Sequence, residues 1–578
     1  MSEKIKVTVV IENEKLNNSV DDLTGQSVIL THDSSMTIMS TLLKNNLISG
    51  SFCGGRGDCG RCKIQFLKGA TAPTAVERGA IESVELRQGY RLACLARPNN
   101  DCAIRLALVD APKIAILSNM IDVTESIDQL SQKNLRTENQ KPYVMESSVD
   151  TERTANIPQS GGGSVTDVTD NKETNVMVAV DLGTTTIAMQ LMEIDTGRII
   201  DTYCEMNPQR RYGADVLSRI QASCEGSRAA LQRLVVEVLE RGVEHFKKQP
   251  TAIQCMCVAG NTTMEHLLMG YDVTSLGSSP FTPVEIGLQE YIHPAWDFKV
   301  WLTPGISAFV GGDIVAGLYA CGMLAGHMNT SLLIDLGTNG EMAITDGTRM
   351  IVTATAAGPA FEGGASAGIV GSDMIAYTAE LLRQGILDET GLLAEPYFTE
   401  GISLQRTDIA KDKYDNAQSN EQNNTNRNGY IFTVGRKESS LYMTQKDIRS
   451  LQMAKAAVRA GVEVLLKRLE EKWAEEGQRD ETQPGCQQIE HVYLAGGFGY
   501  YLDVDAAFRI GLLPEHMRGY VQAVGNSSLM GAYQIGRDLW RRRIDRQILE
   551  QSISSIESIN LAKQEEFEGL YIRYMNFN

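Results

Sequence analysis

The sequence predicts a multidomain chain of mixed α/β and α+β class. Its parts are a small cysteine-bearing domain over 1–110, a polar linker over 111–175, and a two-lobed α/β domain over 176–578, with the first lobe about 176–308 and the second about 309–578. Three observations predict it. The chain holds 578 residues, whereas one domain usually holds about 100 to 200. A glycine-rich loop near the start, "SFCGGRGDCGRCKIQF" at 51–66, sets three cysteines between strand-like segments. The motif Asp-Leu-Gly-Thr occurs twice, at Asp181 and again 154 positions later (335 minus 181) at Asp335, each time between two apolar runs.

In the first part, "IKVTVVIE" and "QSVILTHD" alternate as strands, "SSMTIMSTLLKNNLI" reads as a helix that Ser34 or Ser35 caps, and "CKIQFLKG" is a strand after the loop. Cys53, Cys59 and Cys62 give C-x5-C-x2-C, with Cys94 following in "YRLACLA". Four thiolates in tetrahedral pairs are what a diiron cluster needs, and small residues let backbone turn inward around it. Gly54, Gly55, Gly57 and Gly60 supply that freedom. Four thiolates also suit zinc, although structural zinc sites favour paired C-x2-C knuckles and only one such pair exists here. Cys102 falls in a strand-like alternation and reads as a buried structural thiol. The order of elements resembles the β-grasp fold of 2Fe-2S ferredoxins, and the five-residue first gap is closer to the adrenodoxin-like variety than to the four-residue plant type.

From Ala111 to Asn175 the apolar periodicity fades into Ser, Thr, Asp, Glu, Asn and Gln. Such a composition predicts a tether, with one short ordered element near "KIAILSNMIDV". Its "GGGS" is no phosphate loop, because no strand leads in and no Lys follows.

The two Asp-Leu-Gly-Thr copies each predict a hairpin. Glycine lets backbone approach a phosphate, amides and Thr hydroxyls donate to it, and a carboxylate holds Mg²⁺ through water. The parts are Asp181, Gly183, Thr184, Thr185 and Thr186 in one copy, and Asp335, Gly337, Thr338, Asn339, Gly340 and Glu341 in the other. "HVYLAGGFGYYLDV" then runs a strand into Gly496, Gly497, Phe498 and Gly499, and "VGNSSLMGAY" opens a helix after Gly525 and Asn526. Glycines at a strand-to-helix turn leave room for a flat nucleoside. No G-x-x-x-x-G-K-[ST] sequence occurs, which excludes a P-loop.

Residues 176 to about 540 resemble the actin-like ATPase fold shared by acetate and sugar kinases, Hsp70 and actin (ASKHA). The resemblance extends through "NPQRRYGADVLSRI", "VAGNTTMEHLLMG", "FVGGDIVAGL" and "ATAAGPAFEGG". Joined to a ferredoxin-like domain, the chain resembles the reductive activators of corrinoid-dependent methyltransferases. It departs from members that carry a small folded domain before the ATPase, since 111–175 is too polar for one.

The resemblance implies ATP-dependent reduction of Co(II) to Co(I) in a corrinoid protein, with a 2Fe-2S cluster, ATP and Mg²⁺ as cofactors. It implies that Asp181 and Asp335 organise Mg²⁺ and the attacking water, that Thr184–Thr186 and Thr338–Gly340 cradle phosphates, and that Asp313 positions water, with a helix N-cap as its alternative. Glu341 is either an outer-sphere magnesium contact or a surface strand residue. Expected partners are the corrinoid protein of a methyltransferase system and an external electron donor, with a homodimer left open. An activator of a radical-type dehydratase or reductase and a redox-sensing actin-like scaffold are the rival functions.

Composition sets outer limits. A formal charge of -18 with no basic stripe argues against nucleic acid. No run of about 18 apolar residues and no leader-like start are seen, which predicts a cytoplasmic protein off the membrane. Eleven cysteines in that setting are tested first as metal ligands or redox groups. Cys255 and Cys257 alternate on a core strand, and the seven histidines show no ligand-like pairing. "MTQKDIRSLQMAKAAVRAGVEVLLKRL" predicts a long helix capped by Thr444 and Asp447, and "DKYDNAQSNEQNNTNRNGY" a solvated loop.

Overall fold

A computed structural model describes residues 4–12, 27–45, 62–81, 83–107, 175–249, 251–325, 329–337, 339–358, 360–361, 371–406, 430–435, 441–475, 489–496 and 502–577. Cys53, Cys59, Thr338, Gly497, Phe498 and Gly499 lie outside them, as do all of the 111–175 linker but Asn175 and all of the 412–430 loop but Tyr430.

Alternating apolar residues build the first sheet from β1 (Lys4–Glu12), β2 (Ser27–Asp33), β3 (Lys63–Lys68), β4 (Tyr90–Leu92) and β5 (Cys102–Ala107). The spatial order is β2-β1-β5-β3-β4, with β1 antiparallel to β2 and parallel to β5. Val7, Val9, Ile64, Phe66 and Ile104 point to one core together with Ile38 and Leu42 of the helix Ile38–Lys44. This is the β-grasp arrangement expected. The helix is capped by Thr37, whose Oγ1 accepts from Ser40 N at 3.2 Å; Ser35 instead bonds Asp33 in the preceding turn. Cys102 is buried on β5, and its thiol is pushed up to about 11 by burial and by Asp101.

The two Asp-Leu-Gly-Thr copies begin two sheets of the same plan. The first contains β6 (Asn175–Leu182), β7 (Thr186–Glu193), β8 (Ile199–Met206), β9 (Ala252–Gly260), β10 (Gln289–Tyr291) and β11 (Lys299–Leu302), ordered β10-β11-β9-β6-β7-β8. The second contains β12 (Ser331–Leu336), β13 (Gly340–Thr345), β14 (Met350–Thr355), β18 (His491–Ala495), β19 (Val521–Gly525) and β20 (Glu557–Ser558), ordered β19-β18-β12-β13-β14-β20. In each, the first strand pairs antiparallel with its hairpin partner and parallel with the strand on its other side. A three-stranded sheet of β15 (Ile402–Arg406), β16 (Tyr430–Val434) and β17 (Leu441–Met443) is added to the second half.

The two halves exchange covering helices. Helix Gly312–Ala320 follows β11 of the first sheet, yet its Ile314 and Leu318 pack on Leu333, Ala343 and Val352 of the second. Helix Ser527–Trp540 follows β19 of the second sheet, yet its Leu529, Ala532 and Ile535 pack on Met177, Ala179 and Cys257 of the first. The helices cross where glycine permits close approach: a Cβ on Gly531 would run into the Ala316 carbonyl, and one on Gly317 would lie 2.9 Å from Ser527 Oγ.

The far face of the first sheet is covered by Leu231, Val235, Val238 and Leu239 of helix Arg228–Phe246. That of the second is covered by Ile448, Leu451, Ala454, Val458 and Val462 of helix Gln445–Glu475. Thr444 and Asp447 form the expected cap, with Thr444 N donating to Asp447 Oδ2 at 2.9 Å. Cys255 and Cys257 are core thiols, both pushed up by burial.

Candidate functional site

Two places concentrate chemistry. In the N-terminal domain, Cys62 precedes β3 and Cys94 follows β4, and the antiparallel pairing of Lys63 with Leu92 brings them together. Their Sγ atoms are 3.3 Å apart. Ala93 N donates to Cys62 O at 2.8 Å, while Ile38 N and Met39 N, at the start of the helix, donate to the carbonyls of Ala96 and Ala93 at 2.9 Å each. Glu77 anchors the strand from below, accepting from Leu92 N at 2.8 Å. The Cys62 thiol is held down to about 7, chiefly by its hydrogen bond with Cys94 and despite burial. A lowered thiol beside a second thiol is the donor chemistry of a thiolate metal site. Two sulfurs on one tetrahedral metal, with bonds of about 2.3 Å, lie roughly 3.8 Å apart, so this pair fits after a small opening. Cys53 and Cys59 fall on residues not described.

In the larger part, the parallel strands of both sheets end at one place, where ligands collect in open α/β sheets. Asp181 stands near the end of β6 and Asp335 near the end of β12. Asp313 is in the first turn of helix Gly312–Ala320, whose N-cap is Gly311, so the capping alternative does not describe it. Its Oδ1 accepts from Ile314 N at 2.8 Å. Glu341 opposes Asp335 on β13 and is only 7% exposed, which rules out a surface strand residue.

These acids feel one another. Burial and then Asp181 push the Asp313 carboxyl up to about 7. Burial, Asp313 and Asp335 push Glu341 well above the carboxylate range, against a hydrogen bond from Asn339. Glu265, fully enclosed on helix Thr262–Met269, is pushed up by burial and by Asp313, and accepts from Gly260 N at 3.1 Å. Among the described residues no three acid, His or Cys side chains converge to chelate a metal directly.

The hairpins present Gly183, Thr184 and Thr185 between β6 and β7, and Gly337 and Asn339 between β12 and β13, where Gly337 N donates to Asn339 O at 2.9 Å. Gly496 has φ +109°, and a Cβ on it would meet the Leu336 carbonyl and lie 3.1 Å from Asp335 Oδ1. Its N–H donates to Gly525 O at 3.0 Å, closing the ends of β18 and β19. Asn526 donates to Asp181 Oδ2 at 2.7 Å, and Ser528 Oγ lies 3.3 Å from Asp181 Oδ1.

Sequence reasoning gave no individual role to Asn207, Arg219, Asn261, Glu265 or Ser528. Asn207 and Arg219 stand in "NPQRRYGADVLSRI", Asn261 and Glu265 in "VAGNTTMEHLLMG", and Ser528 in "VGNSSLMGAY". The sequence placed Asn207 and Arg219 inside a family-like stretch but gave no sign that both would be fully buried.

Comparison with known proteins finds matches over both parts of the chain. Family profiles match over residues 21–99 as a 2Fe-2S iron-sulfur cluster binding domain, over 176–325 as the RACo middle region, and over 329–367 and 365–578 as the C-terminal ASKHA domain of RACo. The chain is 30% identical over 396 residues to the corrinoid activation enzyme RamQ of Eubacterium limosum, covering 61% of this chain and 63% of RamQ. It is 23% identical over 438 residues to the Co(II) methylated amine-specific corrinoid protein reductase of Methanosarcina barkeri, covering 69% and 76%. A solved structure titled reductive activator for corrinoid,iron-sulfur protein has the same fold, with TM-score 0.56 at 23% identity over 99% of this chain and 98% of that one.

Proposed function

This chain belongs to the RACo family of proteins that join a 2Fe-2S ferredoxin domain to a RACo middle region and ASKHA domain, and from that premise we propose that it activates a corrinoid protein reductively at the expense of ATP. The observation that carries the reading is the union in one chain of the Cys62–Cys94 pair, sulfurs 3.3 Å apart, with two Asp-Leu-Gly-Thr hairpins around a shared group of acids.

Cys53, Cys59, Cys62 and Cys94 hold the 2Fe-2S group, which when bound supplies single electrons at about -400 mV in plant-type surroundings. Reduction of Co(II) to Co(I) is uphill from there, and each ~59 mV of mismatch costs a factor of ten in a one-electron equilibrium. An external donor supplies the electron, and ATP supplies the bias. A ligand shifts an equilibrium only through its differential affinity for two states, so the ATPase halves engage the corrinoid protein differently before and after hydrolysis. The exchanged helices Gly312–Ala320 and Ser527–Trp540 tie any relative movement of the sheets to Asp313 at the start of one and to the Asn526–Asp181 bond at the start of the other.

Within the site, Thr184–Thr186 and Thr338–Gly340 bind phosphates, while Asp181 and Asp335 hold hydrated Mg²⁺. Asp313, poised near neutrality, takes the proton of the attacking water. Glu341, opposite Asp335 on β13, would be placed to hydrogen bond a water of the ion. Gly496–Gly499, Gly525 and Asn526 leave room for the adenosine.

The test is anaerobic. The iron-reconstituted chain, a mild reductant, ATP and Mg²⁺ are mixed with a Co(II) corrinoid methyltransferase subunit, and the visible spectrum is followed. Co(I) that forms only with ATP supports the reading. Cobalt that stays Co(II) while ATP is hydrolysed refutes it and favours activation of a radical-type enzyme.

A further inference from the structure

Three consecutive carbonyls of the first hairpin are held from behind by one segment. Asn207 Nδ2 donates to Gly183 O at 2.9 Å, Arg219 Nη2 donates to Thr184 O, and Asn207 N donates to Thr185 O at 2.8 Å. In a trans peptide the carbonyl and the following N–H point in opposite directions. Drawing the carbonyls of 183, 184 and 185 to one side therefore turns the N–H groups that follow them toward the other. Successive amides aimed one way form an anion-binding concavity.

The segment behind the loop is itself fixed. Arg219 is fully buried in helix Val216–Ala222, and its Nε donates to Gly213 O at 3.1 Å and its Nη1 to Gln209 Oε1 at 3.3 Å. Gln209 in turn donates to Leu231 O at 2.9 Å, and Asn207 Oδ1 accepts from Gln209 N at 3.0 Å. On the other flank Asn261 Nδ2 donates to Thr184 Oγ1 at 3.0 Å, which orients that hydroxyl. A guanidinium in this position adds a positive charge that water screens poorly, because it lies inside the protein.

We propose that Arg219 and Asn207 are positioning residues that shape the phosphate cradle of the first hairpin by holding its carbonyls with their forked and paired donors, so that triphosphate affinity depends on side chains that do not touch the nucleotide. This rests on the reading of that hairpin as an ATP phosphate site. The dependence is on phosphate and not on the nucleoside, which separates it from a merely structural role.

The experiment measures calorimetric binding of Mg-ATP and of adenosine to the full-length chain, to Arg219→Lys and to Asn207→Ala, with thermal melts to confirm folding. Lys keeps the charge but not the forked donors. Expected is a loss of at least tenfold in Mg-ATP affinity in both variants, with adenosine affinity held within twofold. Equal losses for ATP and adenosine, or unchanged ATP affinity, overturn the inference. Should Arg219→Lys fail to fold, Asn207→Ala decides alone, since it removes the Gly183 contact without touching the guanidinium. Failure of the unsubstituted chain to bind ATP is a different result: it removes the parent reading and this inference with it.

Discussion

Asn526 holds Asp181 with one end of its amide and starts a helix with the other: Nδ2 donates to Asp181 Oδ2 at 2.7 Å, while Oδ1 accepts from Leu529 N at 2.8 Å. The first Asp-Leu-Gly-Thr hairpin is thus bonded to the very end of the helix that crosses from the second sheet onto the first. Asn526→Asp separates the two tasks. Asp caps a helix as well as Asn, so thermal stability changes little, but a carboxylate now faces a carboxylate where an amide donated. Mg-ATP hydrolysis falls by about tenfold or more, in keeping with loss of a charge-assisted bond worth roughly 1.5–3 kcal/mol. Steady-state hydrolysis and a melting curve on the same preparation check it.

Asp313 gives a pH signature. Burial and the neighbouring Asp181 raise its folded-state pKa from 3.8 to about 7. A raised pKa means the native state prefers the protonated form. The stability this group contributes is complete below pH 3.8 and is lost as pH rises through about 7. Asp313→Asn keeps a neutral side chain at every pH. In nucleotide-free protein its melting temperature therefore gains on the unsubstituted chain between pH 4 and 8, while its ATP hydrolysis is abolished. A melting difference that is flat across this range contradicts the assignment.

The crossing of the exchanged helices has no slack. Gly531→Ala sets a methyl against the Ala316 carbonyl, and overpacking of this kind costs about 1–3 kcal/mol. Because the helices carry the starts at Asp313 and Asn526, the expected result is a lowered melting temperature together with weaker ATP hydrolysis. Gly569→Ala, where a Cβ meets nothing within 4 Å, serves as the neutral control.

The hairpins were legible because each is local: an apolar strand, a three-residue connection and another apolar strand leave little choice of structure. The helix Gln445–Glu475 was legible for the same reason, its buried positions and Thr444–Asp447 cap being written in one stretch. The exchange of covering helices was not, since nothing in "GGDIVAGLYA" or "NSSLMGAYQIG" says which sheet an apolar face will meet. Nor were Asn207, Arg219 and Glu265, whose roles depend on groups 24, 35 and 48 positions away, at Gly183, Thr184 and Asp313. The misplaced cap at Ser34 or Ser35 was a matter of register: Thr37, two or three residues on, offers the same hydroxyl one turn nearer the buried Ile38.

The cysteine assignments can be separated by one comparison. Cys94 sits 3.3 Å from Cys62 in a loop tied down by backbone hydrogen bonds, whereas Cys102 is buried on β5 with its thiol pushed up to about 11. A thiol that resists ionisation is a poor ligand, since the thiolate is the form that binds metal. Cys94→Ser therefore loses most of its iron and the visible absorption of the reconstituted domain. It still hydrolyses ATP, because no acid or hairpin residue is touched. Cys102→Ser keeps its iron and loses only packing, about 1 kcal/mol of stability from a small buried group turned polar. Iron and acid-labile sulfide per chain, measured beside ATP hydrolysis, give the answer. Equal iron in the two variants would mean that Cys94 is not a ligand and that the Cys62–Cys94 contact is packing alone.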